Sequence, residues 1–190
     1  MKPYLIGLTG NIASGKSTAL AAFGKCGAAV LSADELVREL YKKPSVQKKL
    51  PHLFGSDVPA KIAAQVFKDA AARKKLEDLL HPLVWKLAKQ KLAACKEPIC
   101  VFEVPLLFEA GWQKKMDLTV VVATDEKNLR VRLQARKLSQ GHYKQRLQTQ
   151  LSQAEKIRQS DFVIFNQASK QELNRKVARL YRALTTIYGE

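Results

Sequence analysis

Short hydrophobic runs recur along the chain and alternate with longer segments that are helical in character. Each run is nearly continuous rather than alternating, which is the pattern of a strand buried on both faces of a parallel sheet. Glycine or proline bounds several of these runs. The predicted strands are residues 4–9, 28–31, 99–104, 118–123 and 162–165.

Apolar residues at helical spacing fill most of the chain between these runs. Residues 45–95 are helical almost throughout and longer than a strand crossover requires, so we expect a helical insertion there. Pro51, Pro59 and Pro82 are expected to interrupt it. The fold class is therefore α/β, a five-stranded parallel sheet with helices on both faces. The other predicted helices are residues 16–25, 34–41, 126–136, 139–156 and 170–188.

Charge and cysteine content indicate which binding partners and which cellular compartment to expect. The 190 residues include 33 Lys and Arg against 17 Asp and Glu, a net charge of +16 that favours phosphate-bearing partners. The three cysteines form no Cys-x-x-Cys pair, which fits a reducing compartment. No apolar run approaches the roughly 20 residues of a membrane span. We expect a cytoplasmic protein with no membrane partner.

A phosphate-binding motif follows the first predicted strand. Residues 10–17, Gly-Asn-Ile-Ala-Ser-Gly-Lys-Ser, satisfy G-x-x-x-x-G-K-[ST] and open the first predicted helix. Lys16 is predicted to reach the β- and γ-phosphates of ATP, and the Ser17 hydroxyl to bind Mg²⁺. The alternative is a glycine-rich turn that binds nothing. The predicted ATP-binding residues of the loop are Asn11, Ala13, Ser14, Gly15, Lys16, Ser17 and Thr18.

Acidic residues near the ends of two predicted strands are candidates for acceptor and metal chemistry. Asp34 follows the second strand, where ligands of open parallel sheets collect, and could accept a proton from an attacking hydroxyl or simply cap its helix. Glu103, late in the third strand, is a further candidate for the metal, although strand alternation leaves its direction open. Glu109 could contact the acceptor. For His81 a structural part is favoured over acid–base chemistry.

Residues 127–158 carry nine Lys and Arg against one acid, Glu155. Arg132 and Arg136 stand four apart and share a helix face. An arginine placed at a transferring phosphoryl group stabilises the developing charge, so we predict roles for Arg132, Arg136 and Arg146. The alternative is a solvated charged face.

Taken together, the chain resembles the dephospho-CoA kinase family along nearly its whole length. The segments that carry the resemblance are residues 7–18, 33–34, 76–77, 80–82, 104–109, 138–139, 146–150 and 160–166. The resemblance implies transfer of the ATP γ-phosphate to the ribose 3′-hydroxyl of dephospho-CoA. It also implies a core of about 1–42, 98–126 and 160–190, an acceptor-binding insertion of about 45–96 and a lid of about 127–158.

The same resemblance implies roles for individual residues. Asp34 matches the family's proposed base, Arg136 looks like the lid arginine, and Arg132 joins it as a catalytic candidate, with Arg146 on the ATP side. The segment 105–109 matches the acceptor-side motif. The acceptor-binding residues implied are Asp34, His81, Leu107, Phe108 and Glu109.

Some positions depart from the family pattern and keep alternatives open. Ser32 replaces an Asp, and Asn11 and Ala13 replace glycines; Ala13 would resist a positive φ. The rival functions are another small-molecule P-loop kinase, a weakly active relative, and a basic nucleic-acid-binding P-loop protein. The last is disfavoured, because few exposed-looking aromatics are available for base stacking.

Overall fold

The structure is a computed structural model that describes residues 2–135 and 150–188, with the backbone alone at Phe67. Its five strands form one parallel sheet in the order β2-β3-β1-β4-β5. The predicted fold class is confirmed. The strands are Tyr4–Thr9 (β1), Ala29–Ser32 (β2), Ile99–Glu103 (β3), Leu118–Ala123 (β4) and Phe162–Phe165 (β5).

Helices follow the strands and are joined by short connections. A 3₁₀ helix, Trp112–Lys115, precedes β4. None of the helices in the described ranges has the length and apolar character to cross a bilayer. The helices are Lys16–Lys25 (α1), Ala33–Tyr41 (α2), Pro44–Gln47 (α3), Lys49–Phe54 (α4), Pro59–Lys68 (α5), Ala70–Ala93 (α6), Glu126–Ala135 (α7), Gln153–Gln159 (α8) and Lys170–Tyr188 (α9).

The chain divides into two compact units, residues 1–32 with 95–190 and residues 33–94. In the first unit, α1 and α9 pack against each other and cover the apolar side chains of β1, β3 and β4. Phe23 of α1 and Val177 of α9 are fully buried there. Because parallel strands end at the same edge, the segments that follow β1, β3, β4 and β5 are gathered along one edge of the sheet.

The second unit consists of α2 to α6. Helix α2 packs on α6 through buried Leu36 and Leu40, and an ion pair joins Glu39 to Lys91 at 3.0 Å. Residues 33–41, which the sequence assigns to the core, group with this helical unit.

Two local expectations are wrong. Pro82 lies inside α6 rather than between two helices. Of the two roles left open for Asp34, capping does not fit, because Asp34 is the second residue of α2. The predicted helix over 139–156 does not extend through residues 151–152, because Ser152 caps a new helix in a reciprocal capping box with Glu155; its residues 139–149 lie outside the described ranges.

Candidate active site

The phosphate loop connects β1 to α1, and its two outer glycines are required by both space and backbone conformation. Gly10 has φ +148° and Gly15 has φ +105°. A Cβ on Gly10 would lie 2.3 Å from the carbonyl oxygen of Val122, and one on Gly15 would lie 2.2 Å from Nδ2 of Asn166. The loop is therefore packed directly against the end of β4 and against the residue that follows β5.

Ala13 is the one non-glycine residue with positive φ in the described chain, at +60°. A left-handed conformation costs an L-residue other than glycine roughly 1–2 kcal/mol. The sequence predicts that Ala13 disfavours a positive φ, and the loop nevertheless holds it in that conformation. Such strain persists only where the surrounding structure over-determines the backbone.

Lys16 begins α1 and folds back over the loop. Its ammonium donates hydrogen bonds to the carbonyl oxygens of Gly10 at 2.7 Å and Asn11 at 2.9 Å. Ser17, the next residue, is exposed at the start of the helix. The positive end of the helix and an ammonium group thus lie at one place, which is the arrangement that binds anions.

Two side chains hold the loop at the carbonyl oxygen of Ser14. Asn166 donates from Nδ2 at 2.7 Å, and Arg132 donates from Nη1 at 3.1 Å. Arg132 also donates to Asn166 O at 2.9 Å and to Thr124 Oγ1 at 3.2 Å. The sequence predicted Arg132 as a catalytic residue. The structure shows it as a support of the phosphate loop, and its contact with a phosphate stays a prediction.

A cavity of about 310 Å³ opens beside this support. Apolar side chains form part of its wall, and guanidinium, amide and ammonium groups supply donors. Such a mixture suits a flat heterocycle that carries hydrogen-bond acceptors. The lining residues are Ala13, Gly15, Thr18, Arg132, Ala135, Asn166, Ala168, Lys170 and Leu173.

The segment 105–109, after β3, is tied to the phosphate loop and to α8. The carbonyl oxygen of Pro105 accepts from Thr9 Oγ1 at 3.2 Å and from Lys156 Nζ at 2.9 Å. Leu107 is fully buried and Phe108 nearly so. Since these two side chains lie in the core of the unit, a contact of Leu107 or Phe108 with the acceptor would use backbone atoms. Their predicted role in acceptor binding stays a prediction.

Glu109 forms an ion pair with Lys156, with 3.0 Å between Oε1 and Nζ. The same oxygen accepts from the backbone N–H of Leu151 at 2.8 Å. Lys156, one of the nine basic residues of 127–158, is fully buried and so belongs to no exposed charged face. Burial lowers the pKa of this lysine, and the Glu109 carboxylate acts in the opposite direction.

The metal candidates are Ser17 and Glu103. Glu103 is buried at the end of β3, in register with Leu8 of β1 and Ser32 of β2. No group of three or more His, Cys, Asp or Glu that could hold a metal ion occurs in the part of the chain that the structure describes. Mg²⁺ in nucleotide sites takes ligands from substrate phosphates beside one or two protein oxygens.

The remaining predicted residues fall in three places. In the second unit, Asp34 is exposed in the first turn of α2. His81 lies in the interior of α6, half buried, and desolvation lowers its pKa. Arg136 and Arg146 lie outside the described residues. The support role of Asn166 was not predicted, and its only sequence signal was its place directly after the last strand.

Comparison with known proteins identifies the family. A sequence model of the dephospho-CoA kinase family matches residues 4–172. The dephospho-CoA kinase of Fusobacterium nucleatum is 32% identical over 188 residues, which cover 94% of this chain and 97% of that protein.

Two solved structures share the fold over nearly their whole length. A Thermus thermophilus protein of known crystal structure superimposes with a TM-score of 0.87 and 32% identity, covering 97% of this chain and 100% of that one. Dephospho-CoA kinase from Campylobacter jejuni gives a TM-score of 0.68 and 25% identity, covering 97% and 98%. The resemblance seen in the sequence is confirmed: this chain belongs to the dephospho-CoA kinase family.

Proposed function

We propose that this protein transfers the γ-phosphate of ATP to the ribose 3′-hydroxyl of dephospho-CoA, giving coenzyme A and ADP, the last step of coenzyme A biosynthesis. The family match over residues 4–172 carries the proposal. The phosphate loop supports it, because two glycines of positive φ, the N-terminus of α1 and the Lys16 ammonium lie together there.

The donor phosphates are proposed to lie on the loop, against the backbone N–H groups at the start of α1. When they bind, Lys16 exchanges the carbonyl oxygens of Gly10 and Asn11 for phosphate oxygens. A fixed positive charge at that point stabilises the negative charge that shifts during transfer. Asn11, Ala13, Ser14, Gly15 and Thr18 contribute backbone to the same cradle.

The donor base is proposed to occupy the cavity beside Arg132 and Asn166. Ala168 and Leu173 supply apolar wall, and Lys170 and Arg132 supply donors for ring nitrogens. Because Arg132 and Asn166 also hold Ser14, the base would bind against the groups that keep the loop in shape. Base binding and phosphate binding would then depend on the same support.

Mg²⁺ is proposed to accompany ATP. The exposed Ser17 hydroxyl and the Glu103 carboxylate are oxygen donors of the kind that Mg²⁺ accepts alongside phosphate oxygens. When bound, the ion neutralises charge on the phosphates and orients them. Ser17 would hold it directly, and Glu103 would hold it directly or through water.

On the acceptor side, Asp34 is proposed to take the proton of the 3′-hydroxyl. His81 and the segment with Leu107, Phe108 and Glu109 are proposed to contact dephospho-CoA, and Arg136 and Arg146 the phosphates. Asp34→Asn keeps the shape but removes the basic oxygen, so we expect kcat to fall about a hundredfold or more while the ATP affinity stays within about twofold. Normal turnover in that variant would refute the assignment of the base.

The direct test is a coupled ADP-release assay with dephospho-CoA, AMP, CMP and shikimate as acceptors, with coenzyme A identified as the product. Turnover with dephospho-CoA well above the other three supports the proposal. Preference for another acceptor would place the protein among other small-molecule kinases. An electrophoretic shift assay at physiological salt tests the nucleic-acid alternative, and we expect no shifted band.

We also propose a cytoplasmic location. All three cysteines, Cys26, Cys95 and Cys100, lie in the described ranges as free thiols. Free thiols are the usual state in a reducing compartment. Fractionation of cells that produce the protein would test this proposal.

A further inference from the structure

Residues 150–156 form a return segment that leads from residue 150 into α8 and is anchored at almost every position. Gln153 forms two hydrogen bonds with the backbone of Thr124, at 2.9 and 3.0 Å. Ser152 and Glu155 close the capping box. Lys156 bonds to Pro105 and Glu109. These bonds fix the position of the return segment, so the residues that bind to it are held in position as well.

The return segment touches the first half of the phosphate loop. The carbonyl oxygen of Leu151 accepts from Asn11 Nδ2 at 3.3 Å, and Gln150 Oε1 accepts from the N–H of Ile12 at 3.3 Å. Both bonds are long, at 3.3 Å, so a small shift of the return segment away from the loop would break them. Arg132 and Asn166 hold the loop further along, at the carbonyl oxygens of Ala13 and Ser14.

Glu109 and Lys156 set the position of the return segment. Glu109 Oε1 binds both the Leu151 N–H and the Lys156 ammonium, and that ammonium also reaches Pro105 O. Pro105 O accepts in turn from Thr9, the residue just before the loop. A buried ion pair gives little net stability, because desolvation offsets the attraction. Its directional bonds nevertheless fix the geometry of the groups around it.

We propose that Glu109 is a positioning residue for the ATP site, which acts through Leu151 and Gln150 on Asn11 and Ile12 of the phosphate loop. The acceptor-side segment and the donor loop thereby share one largely buried carboxylate, that of Glu109. The proposal rests on the proposed function in one respect, namely that the loop binds ATP.

The test compares two double variants in which no buried charge is left without its partner. Glu109→Gln with Lys156→Met keeps an acceptor for the Leu151 N–H, whereas Glu109→Leu with Lys156→Met removes it. Calorimetric titration with ATP alone should show the first within about twofold of the wild type. The second should bind ATP about three- to tenfold more weakly, which is the range expected for a lost neutral hydrogen bond.

A purely structural role gives a different result. In that case the two double variants differ in melting temperature and in the active fraction, and ATP binds both with equal affinity, which would overturn the proposal. Glu172→Gln removes an ion pair of the exposed surface of α9 and is the matched control. We expect no change in ATP affinity for that control.

If the Glu109→Leu double variant fails to fold, the single variant Gln150→Leu still tests the proposal. It deletes only the acceptor for the Ile12 N–H, and we expect ATP to bind about threefold more weakly. Unchanged ATP affinity in Gln150→Leu would overturn the proposal. Wild-type protein that binds ATP without phosphorylating dephospho-CoA would overturn the proposed function instead, and the variants would still decide this inference.

Discussion

The two units of the molecule differ in what they bury. In the first unit the described core contains polar and charged groups, and several of them lie in the phosphate loop or bond to it. In residues 33–94, every buried side chain that the structure describes is apolar, and the ion pairs Lys74–Asp78 and Glu39–Lys91 are exposed. The buried polar residues of the first unit are Thr9, Ser14, Ser32, Glu103, Thr119, Thr124, Lys156 and Asn166.

The difference shows which unit is organised for chemistry. Burying a polar group is unfavourable unless it is hydrogen-bonded, so a cluster of such groups needs directional bonds that fix each member. In the first unit several of those bonds end on the phosphate loop, at Ser14, Asn11 and Ile12. Apart from the proposed acceptor residues Asp34 and His81, the second unit needs only apolar packing between helices, which stabilises without fixing single atoms. With those two residues excepted, polar changes should affect activity in the first unit, and apolar changes should affect stability in the second.

The largest effect is expected at Lys16. Lys16→Ala removes the only side-chain ammonium placed on the loop carbonyls by the described residues, so we expect kcat for dephospho-CoA phosphorylation to fall about a hundredfold or more. Steady-state kinetics measures it. Lys25→Ala, at the exposed end of the same helix, is the control and should keep wild-type turnover.

The second unit should respond to loss of apolar volume. Leu87 is buried in α6, and Leu87→Ala should lower the free energy of unfolding by about 2–5 kcal/mol. Denaturant titration measures this. A small effect would show that apolar packing does not dominate in this unit.

In the first unit, a change at Arg132 should weaken nucleotide binding. Arg132→Ala removes the guanidinium from Ser14 and Asn166 and opens the wall of the cavity, so we expect KM for ATP to rise about tenfold. Arg130→Ala, on an exposed turn of the same helix, is the control. Equal KM values for the two variants would contradict a role of Arg132 in the donor site.

The sequence predicted the strands well and the side-chain network poorly. Residues 4–9, 118–123 and 162–165 match their strands because each apolar run ends at a strong turn or polar signal. Lys156 is one of the nine basic residues of 127–158, and nothing local in the sequence marks it as the buried one. Its partners, Pro105 and Glu109, are about fifty residues away, and only the fold brings them together.

The prediction that Pro82 interrupts the helix is wrong for a physical reason. A proline inside a helix costs about 3 kcal/mol through a lost hydrogen bond and a steric clash. Leu80, Val84 and Leu87, all buried on α6, each contribute about 1.5–3 kcal/mol by leaving water. Together they outweigh the penalty, so the helix continues through the proline.

A smaller effect is expected at Ala13. Ala13→Gly relieves the left-handed strain, and we expect the free energy of unfolding to rise by about 1 kcal/mol, or about 2–4 °C in melting temperature. Thermal denaturation measures it. A lower melting temperature would mean that the methyl group contributes packing worth more than the strain.

The smallest effect is expected at the exposed ion pair of the second unit. Lys91→Ala should change the free energy of unfolding by less than about 1 kcal/mol, because solvent screens an exposed pair. The same denaturant titration used for Leu87→Ala measures it. A loss as large as that of Leu87→Ala would contradict the contrast between the two units.

Phosphorus NMR of the products tests the central claim most directly. When the purified protein is incubated with ATP, Mg²⁺ and dephospho-CoA, the account predicts ADP and a new phosphomonoester signal coupled to the ribose 3′ proton of the acceptor. Formation of inorganic phosphate with dephospho-CoA unchanged, or a phosphoryl group on any other position, would contradict it.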